Sequence, residues 1–224
     1  MTICYKSNDM RTISQVVEEV IRRSPFFAET LAEGIANNAE IARRIKPDVE
    51  KRLLEKVSES AIAMALHRMS TQIQKPHLGE KMLKQMNDIT VRSNLVEIIF
   101  DNSNAPELLD ALLTASKKRK DTFVNFSRGL HESLLIINRE FERELADVLK
   151  KQKKLRRKEN LSAITMRLPE ASLNVPGVYY PILKAIAHEG ISFVEVTSVD
   201  TEFSIIFEDK DVDRAFSALK RITS

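Results

Sequence analysis

Hydrophobic and polar positions recur in this chain at an offset of seventy residues, without a gap, from about residue 91 to residue 150. The two segments related by this offset have the same order of apolar runs and turn residues, which predicts a duplicated unit. The identical pairs are Asn104 and Asn174, Pro106 and Pro176, Leu113 and Leu183, Ala115 and Ala185, Phe123 and Phe193, Val124 and Val194, Glu132 and Glu202, Ile136 and Ile206, Leu149 and Leu219, and Lys150 and Lys220.

Each copy is predicted to contain a strand, a helix, two further strands and a final helix. Pro176 suits the first turn of a helix because its missing N–H would be unpaired there anyway, and Gly190 suits the end of that helix. The elements expected in the second copy are a strand at 161–168, a helix from Pro176 to Gly190, strands at 191–199 and 201–208, and a helix beginning at 209–211. Those expected in the first copy are strands at 95–100, 122–129 and 132–140 and helices at 106–119 and 142–151.

This order of elements predicts an α+β fold class, with two tandem ferredoxin-like repeats behind an all-helical module. The helices of such a repeat cover one face of an antiparallel sheet and leave the other face bare. The second copy has no fourth strand of its own, so we expect its sheet edge to be filled by the other copy, by residues 1–5 or by a second subunit. Bare faces and open edges together predict a homodimer or a larger assembly.

Short motifs in segment 190–222 are those of a known regulatory domain. They are a helix ending in a Gly-Ile pair, a strand leading into Thr-Ser, a Ser-Ile strand and a final helix with an Ala-Leu ending. The residues are Gly190, Ile191, Thr197, Ser198, Ser204, Ile205, Ala218 and Leu219. This pattern resembles the ACT region of aspartate kinases. Segment 174–190 is similar to the loop and first helix of that region, with Pro176, Gly177 and Val178 at its Gly-Val position.

The resemblance covers residues 160–222, reaches 88–150 only through the repeat, and does not extend to the first 75 residues. It implies a tandem ACT-type regulatory protein that binds an amino acid. One position departs from the family, because Ser192 stands where an Asn often follows the Gly-Ile pair. This departure puts the usual hydrogen bond to the ligand in doubt.

The loop before the first helix of each copy is also a candidate ligand site on physical grounds. A helix start offers unpaired N–H groups and a partial positive charge, which favour a carboxylate. Gly177 lets the backbone approach a ligand closely. Asn104 and Asn174 either cap their helices or contact the ligand. The predicted ligand-binding residues are Asn104, Ala105, Pro106, Asn174, Val175, Pro176, Gly177, Val178, Ile191 and Ser192.

Residues 12–75 are patterned as helices. Breaks are predicted at Ser24-Pro25, Asn37-Asn38, Lys46-Pro47 and Ser58. Segment 39–45 is similar to the supporting helix of a helix-turn-helix and 58–69 to a recognition helix of the winged type, although the linking segment 46–57 is longer than a simple turn. The predicted DNA-binding residues are Arg43, Arg44, Ser58, Ser60, His67 and Arg68. The alternative is a helical docking or dimerisation module in which Ile62, Met64, Leu66 and Met69 are core residues.

Charge gives the DNA hypothesis little support. The chain has 35 Lys and Arg against 32 Asp and Glu, which is a net charge of +3. DNA-binding modules are usually more basic than this. The basic run at 150–158 is typical of a solvated linker, and phosphate contacts are its alternative role.

Motifs for catalysis and metal binding are missing from the sequence. It has no glycine-rich phosphate loop, zinc motif or Ser-His-Asp order, so we expect no enzyme, no metal and no cofactor. Apolar runs are too short to span a bilayer, the start lacks the pattern of a signal peptide, and Cys4 is the only cysteine. These features predict a cytoplasmic protein without a membrane partner.

Three domains are expected: a helical module at 1–78 and ACT-like repeats at 79–157 and 158–224. The sequence predicts that the repeats bind an amino acid and control the helical module in transcription regulation, with DNA and a second copy as further partners. An alternative is a non-catalytic regulatory or docking subunit of an amino-acid biosynthetic enzyme such as aspartate kinase. A third is a vestigial kinase fragment with neither role.

Overall fold

The computed structural model describes residues 11–72, 82–84, 86, 88–117, 122–153 and 156–223. The chain divides into two compact units, Met1–His77 and Leu78–Ser224. In their described residues the first unit is helical and the second is α+β. The sequence boundary proposed at residues 157 and 158 falls inside a strand of the second unit.

Four helices form the described part of the first unit: α1 (Ile13–Arg22), α2 (Pro25–Ala32), α3 (Asn38–Leu53) and α4 (Glu59–Gln72). A polar residue precedes each helix, because the first N–H groups of a helix have no hydrogen-bond acceptor within it. Thr12 and Gln15 form a capping box on α1, Asn37 accepts from the first turn of α3, and the Ser58 hydroxyl accepts from Ala61 N at 3.2 Å. The buried apolar core is Val16, Val17, Val20, Ile21, Leu31, Ile41, Ala42, Ile45, Val49, Val57, Ile62, Ala65 and Leu66.

The break predicted at Lys46-Pro47 is wrong, because α3 continues through Pro47 to Leu53. Pro47 is exposed, while Ile45 and Val49 are buried on either side of it. Packing of these neighbours therefore keeps the helix intact although proline removes one backbone hydrogen bond. The helix ends instead at Leu54, whose φ is 58°.

The described residues of the α+β unit form six strands and five α-helices. They are β1 (Ile89–Asp101), α5 (Ala105–Ser116), β2 (Val124–Arg128), β3 (Glu132–Asn138), α6 (Arg139–Glu144), α7 (Ala146–Leu149), β4 (Arg156–Arg167), α8 (Tyr180–His188), β5 (Glu195–Val199), β6 (Glu202–Glu208) and α9 (Val212–Thr223). The strands form one antiparallel sheet in the order β2-β3-β1-β4-β6-β5. The elements from β1 to α7 are the first half below, and those from β4 to α9 are the second half.

The long central strands β1 and β4 pair with each other and join the halves. Residues 89–92 of β1 pair with 163–166 of β4, and 97–99 pair with 156–158. Asn94 and Asn160 interrupt the two strands with positive φ, at 62° and 58°. The open edge of the second copy, along β4, is therefore filled by β1 of the other copy, which is one of the three partners considered for it. Residues 1–5 lie outside the described residues.

The halves have the same strand order, and their hairpins have the same register. Asn125 lies opposite Ile136 in the first half, and Glu195 lies opposite Ile206 in the second, so both partners are displaced by seventy residues. The first strands do not follow this offset, because Leu95 corresponds to Leu161, sixty-six residues later. The second half thus has four more residues between its first strand and its hairpin. Descent from a duplicated ACT-type unit stays a prediction.

The helices pack on one face of the sheet, as predicted. Two apolar clusters lie between the helices and that face, one in each half. The opposite face was expected to be bare, but its apolar residues are fully buried, and Phe123, Leu134 and Val194 pack against them. These buried residues are Leu95, Ile136, Leu161, Ala163 and Ile206. The bare face on which the prediction of a dimer partly rested is therefore not observed.

Candidate ligand-binding site

The loop at 168–179, between β4 and α8, is the candidate ligand-binding loop. It contains a 3-10 turn at Glu170–Asn174. The Leu168 N–H donates to the Thr201 carbonyl at 2.8 Å, so the loop begins against the β5–β6 turn. The first half has only a three-residue turn, Asn102–Asn104, at the corresponding position. The additional residues of the second half therefore lie where a ligand was expected.

Gly177 gives this loop its shape. Its φ is +77°, and no atom beyond its two chain neighbours lies within 4 Å of the position that a β-carbon would occupy. The glycine is therefore required by the left-handed backbone and not by crowding. Pro176 was expected in the first turn of the helix, and this is wrong: α8 begins at Tyr180, with Pro181 in its first turn. The positive φ between Pro176 and Tyr180 prevents the helix from starting earlier.

Tyr179 fixes the end of the loop to the β5–β6 hairpin. Its ring stacks on Phe203, with centroids 4.4 Å apart and an interplanar angle of 18°. Its hydroxyl is hydrogen-bonded to the Ser198 hydroxyl at 3.0 Å. The end of the loop is therefore attached to β5, which is an edge strand of the sheet. Sequence reasoning missed Tyr179, for which the adjacent aromatic pair before Pro181 is the only signal.

Ser172 is a second residue of the loop that the sequence did not single out. It is fully buried, and its Oγ atom has no hydrogen-bond partner among the described residues. A buried hydroxyl without a partner costs roughly 1–3 kcal/mol. A hydrogen-bond partner for this hydroxyl would therefore stabilise the loop. No pattern in the sequence distinguishes Ser172 from an exposed turn serine.

The remaining second-half candidates are divided between the two ends of α8. Asn174 and Val175 lie in the loop, and Val178 is buried just before the helix begins. Asn174 does not cap α8, since the helix begins six residues later, so the capping alternative is wrong for this residue. Ile191 is buried and Ser192 exposed beyond the far end of α8, a helix of nine residues or roughly 13 Å. The structure does not bring these two residues to the loop.

The first-half candidates lie at the start of α5. Asn104 ends the 3-10 turn, Ala105 is buried at the first position of the helix, and Pro106 is exposed in its first turn, as predicted. The side chain of Asn104 lies outside the described residues. This turn and the candidate loop follow opposite ends of the antiparallel pair β1 and β4, roughly 40 Å apart along the strands. The two predicted sites are therefore separate.

Side chains of the first half already occupy the polar groups around its turn. Asn102 donates to the carbonyls of Gly129 and Leu130 at 3.0 and 3.1 Å, and it accepts from the Ser133 hydroxyl at 2.6 Å. The Asp101 carboxylate accepts from the Ser103 N–H at 2.9 Å and also from the Ser103 hydroxyl. These contacts close the turn against the β2–β3 hairpin, and they leave few polar groups for a ligand.

Two of the predicted DNA contacts are engaged within the helical unit. Arg43 forms an ion pair with Glu40 at 2.7 Å, and Glu59 lies 4.0 Å from it. Arg68 donates to the Ser14 hydroxyl on α1 at 3.0 Å. DNA would have to displace these partners, so the net free energy of DNA binding would be less favourable.

The other four DNA candidates lie on α3 and α4. Ser58 caps α4 and its hydroxyl is hydrogen-bonded to that of Ser60, while His67 and Arg44 are exposed. Ile62 and Leu66 are core residues of the helical unit, as the docking-module alternative expects, and Met69 packs against this core. Met64 is 63% exposed and is not a core residue.

A buried carboxylate lies near the centre of the sheet. Glu97 on β1 is only 8% exposed, and burial is the main reason that its pKa is raised. The Glu195 carboxylate also raises this pKa, while Lys158 and Arg156 oppose the change. On β6, the pKa of Glu208 falls to about 2 because Lys158 and Lys210 donate to its carboxylate. Lys158 on β4 thus interacts with carboxylates on the strands at both of its sides, Glu97 on β1 and Glu208 on β6.

Neither a metal centre nor a membrane span is found in the described part of the chain. Groups of three or more His, Cys, Asp and Glu side chains placed to hold a metal ion are missing there. The helices of that part are all too short or too polar to cross a bilayer.

Comparisons with known proteins give a likeness in fold. No family model matches the chain, and no curated protein matches it in sequence. Aspartate kinase from Clostridium acetobutylicum is similar in structure, with a TM-score of 0.52 and 12% identity over 62% of this chain and 35% of that enzyme. The chain therefore spans about a third of the length of that enzyme.

Two further solved structures have lower similarity. The regulatory subunit of aspartate kinase from Thermus thermophilus has a TM-score of 0.48 and 12% identity over 62% of this chain and 99% of that subunit. Aspartate kinase from Synechocystis has a TM-score of 0.49 and 11% identity over 62% of this chain and 27% of that enzyme. At such identities a likeness concerns the fold alone. The likeness in fold to the Clostridium enzyme agrees with the resemblance to the ACT region that the sequence motifs indicated.

Proposed function

We propose that this protein is a non-catalytic regulatory subunit whose second half binds an amino acid at the candidate ligand-binding loop. Binding controls how the protein docks on an amino-acid biosynthetic enzyme such as an aspartate kinase. The observation that supports this function is the loop itself, which has the positive-φ Gly177 beside open space, the unpaired hydroxyl of Ser172 and the attachment of Tyr179 to the hairpin.

The ligand's carboxylate is held by backbone N–H groups next to Gly177, because the missing side chain lets the ligand approach the backbone. The Ser172 hydroxyl supplies a further hydrogen bond. Tyr179 links an occupied loop to β5 through Phe203 and Ser198. Ligand binding thereby shifts the population of arrangements of an edge strand, which is a surface able to pair with another chain.

Three observations support this role over transcription regulation. The similar Clostridium protein is described as an allosteric aspartate kinase, and motifs between Gly190 and Leu219 resemble its family's ACT region. In the helical unit, the ion pair of Arg43 and the hydrogen bond of Arg68 compete with DNA contacts. The ACT-type identity of both halves, the homodimer and the three-domain division belong to the same proposal. DNA binding stays a less favoured alternative.

Calorimetry on the full chain tests ligand binding. Lysine, threonine, methionine and the branched-chain amino acids form the first panel, each compared with its carboxamide. We expect one amino acid to bind and its amide to bind at least tenfold more weakly, since the charge-assisted hydrogen bonds are lost. No heat from any member at millimolar concentration with folded protein would remove the sensor role.

Two matched serine variants locate the site. Ser172→Ala should weaken binding about three- to tenfold because it removes one hydrogen bond. Ser217→Ala, on the exposed side of α9, should leave affinity unchanged. Equal affinities of the two variants would place the ligand elsewhere.

Docking is measured by co-sedimentation with a purified aspartate kinase, with and without the amino acid. Random duplex DNA in place of the enzyme tests the alternative.

A further inference from the structure

A cavity of about 320 Å³ opens in the helical unit, between the end of α1, the start of α2 and one face of α3. Its volume is at the lower limit of small-molecule sites, which range from roughly 300 to 1,000 Å³. It belongs to a different unit from the candidate ligand-binding loop.

Three arginines line this cavity: Arg23, Arg44 and Arg52. Arg44 and Arg52 are two turns apart on α3, and Arg23 follows α1. Their convergence from two helices is a feature of tertiary structure, since 29 residues separate Arg23 from Arg52. Guanidinium groups suit phosphate and carboxylate ligands because each offers a planar set of donors.

Glu19 holds two of these arginines in place. Its Oε1 atom accepts from Arg23 at 3.0 Å and from Arg52 at 3.1 Å. Because both arginines are already held by Glu19, a ligand loses less free energy in ordering their side chains. Arg44 has no hydrogen bond or ion pair within the described residues, so all its donors are available. Three cations then face two carboxylates, Glu19 and the cavity-lining Asp48.

The start of α2 adds further donors to this cavity. Ser24 lines it as the residue that precedes the helix, and its side chain makes no capping hydrogen bond. The N–H groups of Phe26 and Phe27 have no acceptor within the helix, because they belong to its first turn. Their partial positive charge adds to that of the arginines.

Part of the cavity lining is apolar. It consists of Val20, Phe27 and Ile45, and Val20 and Ile45 are core residues of the helical unit. This apolar lining adds affinity for a ligand with an apolar portion, by about 25 cal/mol for each Å² buried. A cavity with both cations and apolar lining suits a small ligand that has both kinds of group, whereas a flat basic surface suits a polymer of phosphates.

We propose that this cavity binds a small organic anion. A phosphate or carboxylate group of the ligand lies among Arg23, Arg44 and Arg52, and its apolar portion lies on Phe27. The concave shape favours a free small molecule over the backbone of DNA. So does the charge of residues 11–72, which include ten Lys and Arg against nine Asp and Glu.

The test uses phenyl phosphate as a probe of both parts of the cavity, titrated into the full chain by calorimetry. Inorganic phosphate has the charge without the ring, and phenol has the ring without the charge. We expect phenyl phosphate to bind at least threefold more tightly than inorganic phosphate, because only phenyl phosphate has a ring to contact the apolar lining. Phenol should show no binding. Failure of phenyl phosphate to bind at millimolar concentration would overturn the proposal.

Two variants of α3 locate the probe. Arg44→Met should weaken phenyl phosphate binding at least tenfold, as expected when a charge-assisted hydrogen bond is removed. Lys51→Met removes one cation from an exposed position outside the cavity and should change affinity less than twofold. Neither residue has a partner within the described residues, so both variants should fold, as circular dichroism would check. Equal losses in the two variants would show non-specific charge attraction and overturn the proposal.

Competition distinguishes the two sources of phosphate. Random-sequence duplex DNA should not displace phenyl phosphate at physiological salt if the ligand is a small molecule. Displacement, together with equal weakening of duplex binding by Arg44→Met and Lys51→Met, would assign these arginines to a nucleic-acid surface and overturn the small-molecule proposal. Benzoate in place of phenyl phosphate then shows whether a carboxylate or a phosphate is preferred.

Discussion

The two halves of the α+β unit differ in the segment that connects the first strand to the helix that follows it. In the first half, three residues separate β1 from α5, and Asn102 ties this turn to the neighbouring hairpin. In the second half, twelve residues separate β4 from α8, and the loop contains Gly177 in a left-handed conformation. The sheet registers of the hairpins are nevertheless the same. One framework therefore supports a closed turn in one half and an open loop in the other.

The difference shows how similar elements acquire different roles. In the first half polar groups stabilise the fold by bonding to each other, whereas in the second half the Ser172 hydroxyl lacks a partner. Variants at equivalent places should therefore affect stability in the first half and ligand binding in the second. The predictions below test this contrast.

The largest effect is expected from Asn102→Ala. It removes three hydrogen bonds and leaves the Ser133 hydroxyl, which is only 1% exposed, without its acceptor. The free energy of unfolding should fall by about 2–4 kcal/mol. Asn174→Ala makes the same substitution in the loop of the second half, at the position that the offset of seventy pairs with Asn104, and it should cost less than about 0.5 kcal/mol because Asn174 is exposed. Urea denaturation followed by circular dichroism measures both, and equal losses would contradict the contrast.

A smaller effect is expected from Gly177→Ala. The new methyl group meets no atom within 4 Å, so the cost comes only from the positive φ. It should be about 1–2 kcal/mol in the free energy of unfolding. Gly177→Asn should recover part of this loss, since Asn tolerates the left-handed conformation better. If both variants are as stable as the original chain, the loop does not need its left-handed backbone.

Tyr179→Phe tests the attachment of the loop to its hairpin. It keeps the stacking on Phe203 and removes only the hydrogen bond to Ser198. The bond is exposed, so stability should fall by no more than about 1 kcal/mol. Amide hydrogen exchange in β5 should become faster, while exchange in β2 stays the same. Faster exchange in both edge strands would indicate a global effect instead.

Glu97→Gln should change the pH dependence of stability. In the folded protein the Glu97 pKa is raised, first by burial and then by Glu195 of the second half, so the folded state holds this proton more tightly than the unfolded chain. The stability from this proton is present below the unfolded pKa and is lost as pH rises through the raised folded pKa. The variant should therefore lose less stability than the original chain as pH rises above the ordinary glutamate pKa of 4.5.

Glu195→Gln extends this test across the junction of the halves. Removing the second carboxylate should lower the pKa of Glu97, which can be followed by NMR titration. An unchanged pKa would show that burial alone raises it.

Local patterns predicted most strands and helices because each has a clear period. The alternation at 161–168 corresponds to β4, and the apolar run at 201–208 corresponds to β6. The offset of seventy predicted equal hairpin registers, but it gave a first-strand alignment wrong by four residues, because ten scattered identities do not reveal an insertion inside a loop. Pro47 was taken for a break because its exposed position within a packed helix depends on tertiary contacts.

The candidate loop was predicted only in part. Its location followed from glycine, proline and the resemblance, whereas the positive φ of Gly177 and the burial of Ser172 depend on the complete fold. Ile191 and Ser192 were grouped with the loop by sequence motif, although α8 separates them from it. The basic cavity was missed entirely, because its arginines come together only when α1 and α3 pack.

The pairing of β1 with β4 has a consequence for synthesis on the ribosome. β1 is complete at Asp101, but its partner begins at Arg156 and is complete only at Arg167. At about 5–20 residues per second, the free edge of β1 waits roughly 3–13 s for that partner. An unpaired strand edge is a template for association with other chains. Until β4 is made, the nascent first half therefore has a strand edge open to association with other chains.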